Sequence, residues 1–106
     1  MSSFIEPVKD LGRAIEGQHG GKARLSHVER VTERFQGKPV WEGVVHVFDL
    51  DGHPKAKRAY AWSTPVEGSD RRRFYAVLHV PPITSAQEAV RAAIVADHRD
   101  GTITDD

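Results

Sequence analysis

The sequence predicts an α+β domain, a four-stranded antiparallel meander sheet with an N-terminal and a C-terminal helix (α-β-β-β-β-α). Three observations carry this. Apolar residues recur at helical spacing near both ends of the chain. Four runs rich in β-branched and aromatic residues lie between them. Hairpin-sized turn signals separate those runs, too short for the crossovers that a parallel sheet needs.

The first helix is expected over Ser3–Gly17, where Phe4, Val8, Leu11 and Ile15 share one face. Ser3 and Glu6 have capping-box spacing, and Gly17 with Gly20-Gly21 ends the helix. Lys22–Phe35 reads as a strand. Ala23, Leu25, Val31 and Phe35 share a parity that Val28 breaks, as a bulge would. A helix over Ser26–Phe35 also fits, through Val28, Val31 and Phe35.

Val40–Leu50 is the central strand, bounded by Gln36-Gly37-Lys38-Pro39 and by Asp51-Gly52-His53-Pro54. Both of its faces are apolar: Val44, Phe48 and Leu50 on one, Trp41, Val45 and Val47 on the other. Lys55–Ser63 and Arg72–Val80 follow as the third and fourth strands, and Pro81-Pro82 stops the sheet. The second helix is expected over Ser85–His98, with a capping box at Ser85 and Glu88 and an apolar stripe of Ala86, Ala89, Val90, Ala93 and Ile94. Arg99-Asp100-Gly101 should end it, leaving residues 101–106 as a frayed tail.

The bulk numbers bound the function. The 106 residues fit one domain, 1–106. Fifteen basic residues balance fifteen acidic ones, so overall charge makes no case for nucleic acid or an anionic membrane. There is no cysteine, which excludes disulfides and thiol chemistry and suits a cytoplasmic location. The first ten residues have no basic start followed by an apolar run, so no signal peptide is expected, and no run approaches the ~20 apolar residues of a membrane span.

The run Val47–Gly52 (VFDLDG) resembles the first motif of haloacid dehalogenase-type phosphatases. The resemblance would make Asp49 a nucleophile and Asp51 a general acid beside magnesium. It covers six residues, and His53-Pro54 replaces the family's Thr and following apolar residue. Asp-Gly between two apolar runs is a hairpin signal in its own right, and that is the reading adopted. The six histidines have no ligand spacing, so no metal and no other cofactor is expected. The element order also resembles that of the double-stranded RNA-binding domain, but Ser85–Val90 lacks that family's basic run, and no binding residue carries over.

If both helices cover one face, the other leaves Val44, Phe48, Tyr60, Trp62, Phe74 and Leu78 unshielded. The expectation is therefore a non-catalytic binding or assembly module that forms a homodimer through this aromatic face. The alternative is a nucleic-acid-binding sheet that uses Arg58, Tyr60 and Trp62 with Arg71, Arg72 and Arg73.

Overall fold

A computed structural model describes residues 8–104, with side chains through Asp97. The element order is α1 (Val8–His19), β1 (Lys22–Phe35), β2 (Lys38–Asp51), β3 (Arg58–Pro65), β4 (Arg72–Leu78) and α2 (Ala86–Thr104). The four strands form one open antiparallel sheet in the order β1-β2-β3-β4, so the α+β meander stands as expected. The Ser3–Glu6 capping box and Phe4 lie outside the described residues.

Helix α1 ends two residues later than Gly17. Gly20 takes the left-handed conformation (φ 89°) that closes helices, and its N–H donates to the Glu16 carbonyl at 2.9 Å. Leu11 and Ile15 are fully buried, and Gly12 lets the helix lie against the Phe48 ring, which a Cβ there would meet at 3.5 Å.

Lys22–Phe35 is strand throughout, and the helical alternative over Ser26–Phe35 does not form. The register with β2 slips between Leu25 and His27, so Ser26 is an extra residue. This bulge puts Ala23 and Leu25 opposite Leu50 and Phe48, but Val31 opposite Gly43 on the other face. The expected single parity of Ala23, Leu25 and Val31 is therefore split, because one inserted residue exchanges the two faces downstream.

The largest departure concerns the helices, which lie on opposite faces of the sheet. Leu11 and Ile15 of α1 pack with Phe48, Leu50, Ala59, Ala61 and Ala76. Ala86, Ala89 and Val90 of α2 pack with Val31, Val45, Val47, Tyr60 and Trp62. The two sets alternate along each central strand, as opposite faces must. A sheet apolar on both sides thus buries both within one chain, with one helix for each.

The capping box of α2 forms, shifted by one residue. The Glu88 N–H donates to Ser85 Oγ at 3.1 Å, while the Glu88 carboxylate accepts from the N–H and hydroxyl of Thr84 at 2.7 Å each. These bonds hold the Glu88 carboxyl below its usual range. The helix continues through Arg99-Asp100-Gly101 to Thr104, past the expected stop.

Candidate assembly interface

The six residues expected at an interface do not share a surface. Tyr60 and Trp62 are 3% and 2% exposed, beneath α2. Phe48 is buried beneath α1, with Phe74 and Leu78 half-buried around it. Val44 alone of the six lies away from both helix-covered cores, half-buried opposite Arg30 of β1. The premise that both helices shield the same face is what fails.

Burial also changes the alternative. Trp62 stacks parallel on Tyr75 (centroids 5.2 Å) and takes Trp41 edge-on at 6.0 Å, so its faces are spent on core packing rather than open to bases. Burial raises the pKa of the Tyr60 phenol, whose OH lies 2.6 Å from His79 Nδ1. Arg72 donates to Ser63 Oγ and to the Ser63 carbonyl at 2.8 and 3.2 Å. Arg73 pairs with Asp97 at 3.0 Å and lies over the Tyr75 ring, while Tyr75 itself donates to Asp97 at 2.6 Å. Arg71 is exposed in the β3–β4 turn, where its N–H donates to Ser69 Oγ. Arg58 stands apart, 3.7 Å from Asp49 at the opposite end of β3.

The structure leaves apolar surface elsewhere, along β1 and the start of β2. β3 pairs with β2 only from His46 to Asp49, so Lys38–Val45 of β2 has β1 as its sole paired neighbour. Next to this two-stranded ribbon, on the α1 side of β1, Leu25 and Val28 are 41% and 52% exposed. Phe35 and Val40 are 64% and 49% exposed beside the ribbon's Gln36-Gly37 turn. The ribbon's other side is closed: Val31 is buried under α2, and Glu33 accepts from Arg91 Nε at 2.8 Å and from Gln87.

β1 is 14 residues long and forms the edge of the sheet, and among the described residues no other strand pairs with the outward half of its N–H and C=O groups. From Arg24 onward its charges alternate in sign. Arg24, Glu29, Arg30, Glu33 and Arg34 follow one another, and His27 Nε2 meets the Glu29 carboxylate at 2.8 Å. The sequence carried a trace of this surface, since Val28 broke the expected parity. What it did not show is that the bulge leaves Val28 on the side that α1 covers only in part.

Compared with protein-family models, with curated proteins and with solved structures, the chain matches none. Among the described residues, no helix is long and apolar enough to cross a membrane, and no three His, Asp or Glu side chains converge as a metal site would need.

Proposed function

We propose that this chain is a small non-catalytic assembly module that forms a symmetric homodimer by pairing β1 with β1 of a second copy. The observation that carries the proposal is the long edge strand with Leu25 and Val28 exposed on one face. It replaces the aromatic face as the contact.

A two-fold axis perpendicular to the sheet makes the pair antiparallel, joins two four-stranded sheets into one of eight strands, and keeps the same face up in both copies. Facing residues must then share a face, which restricts the register. Counting Ser26 as the bulged extra residue, an axis at Val28 sets Val28 opposite its symmetry mate, His27 opposite Glu29, and Leu25 opposite Arg30, with no like charges facing each other. An axis one residue earlier, at His27, keeps the faces and pairs Leu25 with Val28, but sets two imidazoles directly opposite each other. Moving the axis to Arg30 or to Glu29 puts two like charges directly together.

The absence of cysteine makes the test clean. Residues directly opposite in an antiparallel pair have Cβ atoms about 4.5–5.5 Å apart, close to the reach of a disulfide. Val28→Cys should therefore cross-link to a dimer under mild oxidation, and Arg30→Cys should do so far less. Sedimentation of the unmodified chain should show a dimer at micromolar concentration. A monomer at all accessible concentrations, or equal cross-linking of the two variants, refutes the pairing.

The lack of cysteine also fits a reducing cytoplasmic setting. The nucleic-acid alternative has less support, because the rings of Tyr60 and Trp62 on which bases would stack are buried.

A further inference from the structure

Where β2, β3 and β4 emerge beyond the start of α2, the structure holds an open cleft of about 490 Å³ lined by Asp49, Lys55, Lys57, Arg58 and His79. We propose that this cleft binds a phosphate monoester borne by a small molecule.

The cations are positioned by the fold rather than scattered. Asp49 and Arg58 are cross-strand partners, and the His79 N–H donates to the Arg58 carbonyl at 2.9 Å, which sets the three residues in one row. The connection that carries Lys55 and Lys57 is pinned from both sides. His53 Nδ1 accepts the N–H groups of Lys55 and Ala56 at 3.0 Å each, the Leu50 N–H donates to the Lys57 carbonyl at 2.8 Å, and Ala56 is buried.

Charge sets the ligand class. Among the lining residues, Lys55, Lys57 and Arg58 oppose Asp49, which leaves two positive charges there, with the Glu88 carboxylate near enough to act on His79. At 3.7 Å the Asp49 contact is too long for a hydrogen bond, so the Arg58 guanidinium keeps its donors for an anion. The buried Tyr60 hydroxyl lies 2.6 Å from His79 Nδ1 and holds the imidazole in place. That contact and the backbone bond to Arg58 fix the His79 ring in the cleft wall. Two net charges and a planar donor fork suit the dianion of a phosphate monoester better than a monocarboxylate. The cleft falls in the size range of small-molecule sites.

The test is an NMR titration of ¹⁵N-labelled protein near pH 7.5, with inorganic phosphate and glycerol phosphate as probes and constant ionic strength. Saturable shifts are expected at the amides of Lys55, Lys57, Arg58 and His79, with Kd on the order of 1 mM for inorganic phosphate and tighter for the monoester. Lys57→Gln with Arg58→Gln should raise Kd by about tenfold or more, while Arg72→Gln, at the far end of the sheet, leaves it unchanged. Well-dispersed spectra show that the variants are folded. Non-saturating shifts, or a Kd unchanged in the double variant, overturn the proposal. So does a single-stranded oligonucleotide that moves these amides when neither probe does. No cleft residue lies on β1, so this result is independent of the dimer.

Discussion

Replacing Arg91 by Ala should destabilise the protein more than its position on the surface suggests. Arg91 is more than half exposed, but its partner Glu33 is buried on β1, 58 residues away in sequence. Arg91 Nε donates to Glu33 Oε2 at 2.8 Å, Nη2 reaches Oε1 at a weak 3.4 Å, and Gln87 Nε2 donates to the same Oε1. This clamp ties α2 to the edge strand. Removing the guanidinium deletes one strong charge-assisted bond, worth about 1.5–3 kcal/mol, and leaves the buried carboxylate bonded to the neutral Gln87 amide. Breaking a fully buried pair costs ~3–5 kcal/mol, but water can reach the space Arg91 vacates, so about 2 kcal/mol is expected. For a domain of this size that lowers Tm by about 8–16 °C.

The sign with pH follows from the same contact. The hydrogen bond from Arg91 is the largest influence on the Glu33 carboxyl and holds it below its ordinary value of 4.5, against the opposing effect of burial. A depressed folded-state pKa contributes stability that is fully present above the unfolded value and disappears as pH falls through the folded one. The gap between wild type and Arg91→Ala should therefore be full at neutral pH and narrow below about pH 4.5. Glu33→Gln in the Arg91→Ala background should recover stability, since it removes the stranded charge. Urea denaturation at neutral and acid pH measures all three variants. A loss under ~0.5 kcal/mol at neutral pH, within ordinary surface scatter, or a gap that does not change with pH, refutes the clamp.

Other consequences can be checked in the same way. Trp62→Ala should cost about 3–5 kcal/mol, because it empties the centre of the α2-side core, and it should act on stability rather than directly on association; calorimetry alongside sedimentation separates the two. Gly43→Ala should cost ~1–3 kcal/mol, since the new Cβ would come 2.9 Å from the Trp41 ring and push it against Trp62; near-UV circular dichroism should report the displaced indoles. Val28→Lys should leave monomer stability within ~0.5 kcal/mol, as the site is exposed. In the proposed dimer it sets two lysines opposite each other at the axis with Cβ atoms about 5 Å apart, and repulsion of their ammonium groups, roughly 1–3 kcal/mol, weakens association by about five- to 150-fold; an undiminished dimer on sedimentation would place the contact elsewhere.

Different features of this protein live at different ranges along the chain. The order of elements, the β2 strand with two apolar faces, the turns and the Ser85–Glu88 capping box are written within a few residues of where they act. Alternation, Gly and Pro placement, and cap spacing are local properties of the backbone, and the sequence determines them unaided. The bulge at Ser26 left one sign, the break in parity at Val28, and that sign could be read two ways.

What covers each face of the sheet is not local. Alternation in β2 and β3 states that both faces are apolar, but says nothing about which segment lies on each. One helix on either side buries both, so Tyr60 and Trp62 lie inside a single chain, and Leu25, Val28, Phe35 and Val40 stay exposed along β1 and the start of β2. The Glu33–Arg91 clamp and the row of Asp49, Arg58 and His79 likewise join residues far apart in sequence. Only the free energy of packing the whole chain, which no short window contains, brings them together.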